Sequence, residues 1–233
     1  MLALAIDSSS DVCTLALGRE SGLVAEHRFH HKMDLLRRIL TEIDALLSEA
    51  DFGPGDVDGV IVSAGPGSFT GLRIGMTTAK SLAYSLEKPI VGVGTLDAIA
   101  LGCASADIGL VCATVFARAD EVYWALFEDG GRKRITDYAV STIDQVVTET
   151  AARSKDVIFC GSGARKNAEK VAELAGQNAV LCNKELDYAS GKALLDLGMA
   201  RMQDGDTDDA ATLAPLYVRK PTPVLRLEAR EKR

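Results

Sequence analysis

Residues 63–75 read Ser-Ala-Gly-Pro-Gly-Ser-Phe-Thr-Gly-Leu-Arg-Ile-Gly. They follow a mainly apolar segment at 57–63, which predicts a strand, and they lead into an apolar stripe at helical spacing over 71–86. Four glycines and one proline between a strand and a helix let the backbone approach another group closely. The stretch therefore predicts a strand–loop–helix unit whose packing constrains its neighbours.

Two explanations of this glycine-rich loop stay open. Backbone amides at a helix N-terminus can hold an anion. The usual phosphate motifs do not fit, because a GxGxxG pattern begun at Gly65 has Thr70 in place of its third glycine, and no Gly-Lys-Ser/Thr follows Gly67. The alternative is a tight turn that allows close helix packing around Gly71 and Gly75.

The rest of the first half predicts strands and helices in alternation. Strands are expected at 2–7, 12–18, 23–29 and 89–93, and Thr95 is expected to cap a helix that ends near 104. A helix is predicted at 34–49, where the apolar residues form one wide stripe of Leu35, Leu36, Ile39, Leu40, Ile43, Leu46 and Leu47.

The second half repeats this order of elements. A capping box of Thr142 and Gln145 predicts a helix that runs to about Arg153, and Ser190 is expected to cap the last helix. The full set is strands near 109–116, 121–128, 133–140, 156–160 and 179–182, with helices near 142–153, 164–175 and 190–204.

Such a duplication predicts an α/β protein with two facing ribonuclease-H-like lobes, the actin/hexokinase/Hsp70 (ASKHA) ATPase-like architecture. We expect residues 1–105 to form the N-terminal lobe and to carry partner-binding helices. Residues 106–218 are expected to form a degenerate C-terminal lobe, whose last helix is free to pack on the first lobe. Residues 219–233 are expected to be a basic tail.

Composition limits the possible classes. The chain has 233 residues, 47% of them hydrophobic and 25% charged, which is ordinary for a globular protein. Five scattered cysteines without a CxxC pair argue against a disulfide framework and a zinc site. No segment has the ~18–20 consecutive apolar residues of a membrane span, so we expect a cytoplasmic protein that does not enter the membrane.

The charge is unevenly distributed. The net charge is −7, but residues 219–233 carry six Lys/Arg against two Glu, which leaves −11 on the other 218 residues. A body this acidic repels a phosphate backbone. We therefore expect contact with RNA to be indirect, through a partner.

Several motifs together resemble the bacterial TsaB family. They are Ile6-Asp7-Ser8-Ser9, the run from Gly65 to Gly75, and Pro89-Ile90-Val91-Gly92-Val93, with shorter matches at 121–123 and 215–219. The resemblance is strong over the first ~100 residues and fragmentary beyond them. The Gly-Pro-Gly-Ser-Phe-Thr-Gly-Leu-Arg run is its most specific part.

The resemblance implies a non-catalytic scaffold or dimerisation subunit of the bacterial complex that makes N6-threonylcarbamoyladenosine beside the tRNA anticodon. The implied partners are a catalytic TsaD-type sister subunit, a TsaE-type ATPase subunit and a second copy of the chain. The implied contact surface lies on helices 34–49 and 71–86. Its candidate residues are Leu36, Leu40, Ile43, Leu47, Leu72, Met76 and Lys80.

The metal motif of the catalytic sister is missing from this sequence. The sister carries HxxxH after the strand that corresponds to 89–93, whereas residues 94–99 here contain no histidine. The only HxxxH spacing is His27 to His31, on a predicted strand and its exit, where we expect surface or helix-packing histidines. We predict neither a metal site nor catalytic residues.

A vestigial nucleotide site is a further expectation. The candidate residues are Asp7, Ser9, Gly65 and Gly67. The resemblance implies that Asp7 and Ser9 lie at the first hairpin turn, where ASKHA proteins bind a metal and phosphate, but Phe116 stands where many TsaB sequences carry an aspartate. We expect no cofactor beyond weakly bound ATP or ADP. The alternative function is an ASKHA-type nucleotide-binding enzyme, either a small-molecule kinase or an ATPase.

Overall fold

The computed structural model describes residues 1–31, 33–103, 109–154, 156–176 and 179–218. The predicted basic tail at 219–233 lies outside the described residues, and so does the predicted boundary between the lobes at 105/106. The described residues form two β-sheets with helices on both faces of each.

The first sheet has five strands in the order β3-β2-β1-β4-β5. β1 is antiparallel to β2 and parallel to β4, which is parallel to β5. The strands are β1 (Leu2–Asp7), β2 (Val12–Arg19), β3 (Gly22–His30), β4 (Gly59–Gly65) and β5 (Ile90–Gly94). The carboxyl ends of β1, β4 and β5 therefore meet at one edge, which brings the glycine-rich loop beside the β1–β2 turn.

The second sheet has the order β11-β10-β6-β7-β8, and β9 also pairs with β7. β6 is antiparallel to β7 and parallel to β10, so the turn between β6 and β7 lies at the same end as the exit of β10. The strands are β6 (Leu110–Arg118), β7 (Glu121–Glu128), β8 (Lys133–Arg134), β9 (Ala139–Thr142), β10 (Val157–Cys160) and β11 (Ala179–Leu181).

Seven α-helices cover the sheets within the described residues. They are α1 (Leu35–Glu49), α2 (Phe69–Leu86), α3 (Thr95–Gly102), α4 (Ile143–Arg153), α5 (Ser162–Lys166), α6 (Ala168–Ala175) and α7 (Gly191–Gln203). Short 3₁₀ turns lie at 54–56, 129–131 and 184–186. No helix in the described part of the chain is long and apolar enough to cross a membrane.

Three apolar cores hold these layers together. Leu4 and Ile6 of β1 pack with α1 and α2 on one face of the first sheet. Ala3 and Ala5 point to the opposite face, where α3 and α7 lie between the two sheets. The third core joins the far face of the second sheet to α4, α5 and α6.

The small residues on one face of the first sheet explain the position of α7. Ala3, Ala5 and Ala16 leave room for this helix to approach the strands closely. A Cβ on Gly198 of α7 would overlap the side chain of Ile61 in β4. The last described helix of the second half therefore packs on the first sheet.

The predicted α/β class is confirmed, and three local predictions need correction. Thr95 does not cap α3, because Gly94 is the cap residue and Thr95 is the first helical residue. The strand expected at 133–140 is interrupted, since the Thr136 hydroxyl accepts the Leu126 N–H in place of a strand carbonyl. The helix expected at 164–175 breaks at Asn167, whose side chain donates to the Gly163 carbonyl and competes with helical bonding.

Two leucines of α1 make a matched test of this packing. Leu46 is fully buried, whereas the side chain of Leu36 is 69% exposed. Leu46→Ala should lower the free energy of unfolding by about 2–5 kcal/mol because it leaves a cavity. Leu36→Ala should change it by less than about 0.5 kcal/mol. Urea denaturation of both variants checks this, and equal losses would contradict the assignment of the two faces of α1.

Candidate functional site

The glycine-rich loop lies directly against the β1–β2 turn. The Ser68 N–H donates to the Ser9 carbonyl at 2.7 Å, and the Ser8 hydroxyl donates to the Gly71 carbonyl at 2.9 Å. The Ser68 hydroxyl also caps α2 by accepting the Gly71 N–H. These contacts join the start of α2 to the end of β1.

The glycines of the loop are required by this contact. A Cβ on Gly67 would overlap the Ser9 carbonyl, and one on Gly71 would overlap the Ser8 carbonyl. A Cβ on Gly75 would overlap the Ser8 hydroxyl. Because two of these neighbours are backbone atoms, side chains could not be accommodated by a rotamer change. The geometry favours the tight turn with close helix packing over the anion cradle.

Asp7 lies beneath this turn and is fully buried. Its Oδ1 accepts the Ser9 N–H at 3.2 Å, and its Oδ2 has no hydrogen-bond partner among the described residues. Burial raises the pKa of the Asp7 carboxyl, although the hydrogen bond from the Ser9 N–H opposes the increase. A carboxyl group in this position is poorly placed to hold a solvated metal–phosphate complex.

A cleft of about 520 Å³ opens between the two sheets above this turn. Ser9 and Gly67 line the cleft, whereas Asp7 and Gly65 do not. Of the four predicted nucleotide-binding residues, the structure therefore brings two to the cleft. The Gly65 backbone instead lies against Leu216, whose N–H donates to the Ala64 carbonyl.

The second sheet contributes the opposite wall of the cleft through the β6–β7 turn and α5. Phe116 occupies the position expected for a carboxylate, and the Lys166 ammonium lies 3.8 Å from the centre of its ring. Arg118 also lines the cleft and forms an ion pair with Glu121 at 2.9 Å. The charges of Lys166 and Arg118 favour an anion in the cleft, and the Phe116 ring beside them offers no metal ligand.

The loop at 161–164 is a packed strand-to-helix turn. Gly161 has φ +91°, and a Cβ there would overlap the Thr114 carbonyl. The Thr114 hydroxyl donates to the Cys160 carbonyl and accepts the Ala164 N–H, both at 2.7 Å. The loop's polar groups are thus used within the protein.

The histidines make local contacts, and His27 of β3 contacts two glutamates of α1. His27 Nε2 is 2.9 Å from Glu49 Oε2, and its Nδ1 is 3.6 Å from Glu42 Oε2. His31 Nε2 lies 2.9 Å from the Ser10 carbonyl oxygen. The described residues include no group of three or more His, Cys, Asp or Glu that could hold a metal ion.

The candidate partner-binding residues on α1 and α2 differ in their exposure. Leu36 and Leu40 are 69% and 58% exposed. The other apolar candidates are buried in the isolated chain; they are Ile43, Leu47, Leu72 and Met76. The apolar stripe on each helix is wide enough for some of its residues to face the core and others to face solvent. Sequence spacing alone does not show which residues do which.

Ile43 and Leu47 nevertheless form part of an apolar depression on this face. A cavity of about 150 Å³ lies between the helices, and its lining includes Leu40, Ile43, Leu47, Leu82 and Leu86. The exposed Leu40 stands at its side. The face therefore has both a projecting apolar side chain and a hollow beside it.

The structure also assigns different roles to two residues of α2. The Lys80 ammonium donates to the Leu213 carbonyl at 2.9 Å and to the Ala211 carbonyl at 3.3 Å, so it fastens the last described segment to α2. Tyr84 was not among the candidates, yet its side chain is 83% exposed. Its position outside the apolar stripe of α2 was the available signal, since a large aromatic on the outer face of a helix is unusual.

Comparisons with known proteins agree on one family. A family model for TsaD, tRNA N6-adenosine threonylcarbamoyltransferase, matches residues 30–221. The tRNA threonylcarbamoyladenosine biosynthesis protein TsaB of Bacillus subtilis (strain 168) is 28% identical over 230 residues, covering 94% of each chain. The crystal structure of a Pseudomonas aeruginosa protein with similarity to peptidase YEAZ has a TM-score of 0.79 and 28% identity, and the match covers 94% of this chain and 99% of that one.

A more distant structure shares the fold alone. The activator of 2-hydroxyisocaproyl-CoA dehydratase from Clostridium difficile, with bound ADPNP, has a TM-score of 0.52 at 9% identity, over 90% of this chain and 99% of that one. The predicted ASKHA ATPase-like architecture is confirmed.

The pH dependence of folding stability tests whether the Asp7 carboxyl is buried. Because burial raises its pKa in the folded state, the ionised carboxyl costs stability that grows as pH rises above the unfolded pKa of about 3.9. Asp7→Asn should therefore stabilise the protein at pH 7, and the gain should shrink as the pH falls towards 4. Urea denaturation between pH 4 and 8 measures this. Asp11→Asn, on the exposed part of the same turn, is the control, and a destabilised Asp7→Asn at pH 7 would contradict the account.

Proposed function

Since this chain belongs to the tRNA N6-adenosine threonylcarbamoyltransferase (TsaD) family and is a TsaB-like protein, we propose that it is the non-catalytic scaffold subunit that binds and activates a TsaD-type catalytic sister. The TsaB relatives of this chain support a general role in tRNA threonylcarbamoyladenosine biosynthesis. The exposed apolar face of α1 and α2 carries the proposal for partner binding.

This face has the properties of a protein-binding site. Leu36 and Leu40 lie one turn apart on α1. The strongly exposed Tyr84 lies on α2 beside Thr77 and Ser81, outside the lining of the hollow between the helices. Transferring each leucine from its present exposure into an interface contributes about 1–2 kcal/mol. Tyrosine offers a large contact area at a low cost in side-chain entropy.

The hollow between the helices supplies complementary shape. Its volume of about 150 Å³ is comparable to an engineered cavity of ~150 Å³ that admits a benzene molecule. One apolar side chain from a partner helix would fill it. A helix pair from the partner, crossing α1 and α2, would bury the ~1,200–2,000 Å² that a stable interface usually needs.

The proposed lack of catalysis rests on the chemistry of the site. Residues 94–99, where the catalytic sister carries its metal-binding histidines, are Gly-Thr-Leu-Asp-Ala-Ile. In the cleft, Phe116 replaces a carboxylate and Asp7 is sealed beneath the β1–β2 turn. The contribution to the reaction is then conformational, through preferential binding to the active form of the sister.

The other proposed partners are a second copy of the chain, a TsaE-type subunit and, indirectly, tRNA. The α1–α2 face and the net charge of the chain bear on how they would bind. A second copy of the chain would use the α1–α2 face, so homodimer and heterodimer compete. The TsaE-type ATPase subunit would join the assembled pair. Because the net charge is −7, tRNA would be held mainly by the catalytic sister rather than by this chain.

Charged substitutions on α1 test the proposal. Leu36→Glu and Leu40→Glu should each weaken the complex with the TsaD-type subunit of the same organism at least tenfold, because each would bury a carboxylate in an apolar interface. The matched control is Leu174→Glu on α6, where the leucine is also exposed, at 50%. Co-purification followed by light scattering gives the mass and the stoichiometry of the complex.

Two outcomes would contradict the proposal. The first is a one-to-one complex that survives both substitutions on α1, which would exclude this face as the contact. The second is a wild-type chain that forms no complex with the catalytic subunit. Circular dichroism of each variant distinguishes loss of binding from loss of fold.

A second candidate function is nucleotide binding in the cleft. The observation that favours it is the cleft of about 520 Å³, with Lys166 and Arg118 on one wall and Ser9 on the other. ATP or ADP bound there would be held by cations and backbone amides and would not be hydrolysed, because Phe116 stands where a carboxylate would hold the metal.

Calorimetric titration with ADP tests this second function. Lys166→Ala should weaken binding at least fivefold, since it removes a positive charge from the cleft, whereas Lys170→Ala, on α6 and paired with Asp144, should have no effect. Binding should not require Mg²⁺. The absence of heat at millimolar ADP, or equal affinity in the two variants, would refute the cleft as a nucleotide site.

A further inference from the structure

Three cysteines converge beside the layer of helices between the two sheets. Cys103 follows α3, Cys160 is the last residue of β10, and Cys182 directly follows β11. The Sγ atoms of Cys103 and Cys182 are 2.8 Å apart. The side chains of Cys103 and Cys160 also interact through a hydrogen bond. All three belong to the same apolar core or pack against it.

The sulfur atoms of Cys103 and Cys182 are close enough to be cross-linked. A disulfide bond is about 2.05 Å long, so the two sulfur atoms need to move together by less than about 1 Å. The residues are 79 positions apart, and they join a helix that follows the first sheet to an edge strand of the second sheet. Such proximity exceeds what either residue needs for packing as a small apolar side chain.

We propose that Cys103 and Cys182 form a reversible disulfide, and that the pair is a modification site for low-molecular-weight disulfides such as oxidised glutathione. The proposal is independent of the proposed function, because it concerns a bond within one chain. It predicts an oxidised and a reduced form of the same fold.

The exchange takes place in two steps. Cys182 is the more accessible residue of the pair, since Cys103 is 5% exposed. The Cys182 thiolate attacks one sulfur of oxidised glutathione, which forms a mixed disulfide and releases one glutathione thiolate. The Cys103 thiolate then attacks the Cys182 sulfur and releases the second glutathione. In balance, two protein thiols are oxidised to a disulfide and one oxidised glutathione is reduced to two glutathione thiols.

The rate of this exchange should depend on pH. The hydrogen bond with Cys103 and burial both raise the pKa of Cys182. The pKa of Cys103 is also raised, mainly by its side-chain interaction with Cys160. Because only the thiolate reacts, oxidation is slow at pH 7 and accelerates as the pH rises. The reduced form therefore persists in neutral buffer until an oxidant is supplied.

Cys160 is the one neighbouring thiol in the described chain that could compete for Cys103. It is fully buried, and its S–H donates to the Cys112 carbonyl at 3.7 Å. An external disulfide reaches Cys182 more easily than Cys160, so the mixed disulfide forms next to Cys103. This order of access favours the Cys103–Cys182 bond over a Cys103–Cys160 bond.

Peptide mapping of the full chain identifies the bond. The protein is incubated with oxidised glutathione at pH 8.5, its free thiols are alkylated in denaturant, and it is digested with trypsin and Asp-N. Cleavage before Asp107 separates Cys103 from Cys112, so residues 97–106 and 171–184 carry one cysteine each. Mass spectrometry should find these two peptides joined, and dithiothreitol should separate them.

Thermal unfolding gives a second readout. The bond would close a loop of 79 residues, so the oxidised form should unfold about 5–15 °C higher than the reduced form. Cys182→Ala should abolish this shift. Cys160→Ala is the matched control and should retain both the shift and the linked peptides.

Three results would overturn the proposal. They are alkylation of both Cys103 and Cys182 after incubation, a stable glutathione adduct on Cys182, and a Cys103–Cys160 peptide as the main product. The mapping uses the wild-type chain, so the proposal is tested even if a variant fails to fold.

Discussion

The backbone contact between the β1–β2 turn and the glycine-rich loop fixes the arrangement of the first half of the chain. Ser8 and Ser9 present their carbonyls to a segment in which only glycine can come close enough, at Gly67 and Gly71. The Ser68 N–H completes the contact at 2.7 Å. A side chain at either glycine would push α2 away from the sheet. The position of α2, and therefore of the face that it shares with α1, depends on this contact.

The same contact has consequences on both sides of the sheet. On one side, α2 is held beside α1, and the groove between them exposes Leu40 next to an apolar hollow. On the other side, the turn covers Asp7 and leaves its carboxyl buried. The fold, which is shared with a nucleotide-bound protein, is thus combined with a cleft whose wall includes the apolar ring of Phe116. Both features fit a subunit that acts through contact with a partner.

Much of this fold is predictable from the sequence because strong local signals coincide with it. The capping box of Thr142 and Gln145 and the cap at Ser190 are present as expected. The site was harder to predict. An apolar stripe indicates that a helix face is covered, but it does not show whether the core or a partner covers each residue. Ile43 and Leu72 therefore could not be distinguished from the exposed Leu36 by sequence. The role of Lys80 depends on a segment 131 and 133 positions away in sequence, which helical periodicity does not report.

The central claim is that the exposed face of α1 and α2 binds the catalytic subunit. Hydroxyl-radical footprinting of the chain, alone and mixed with the TsaD-type subunit of the same organism, tests it at the level of single side chains. The account predicts a severalfold lower oxidation rate at Leu36, Leu40 and Tyr84 in the mixture, with no change at the exposed Leu174. A complex in which those three rates stay unchanged while Phe116 or Leu174 becomes protected would contradict it.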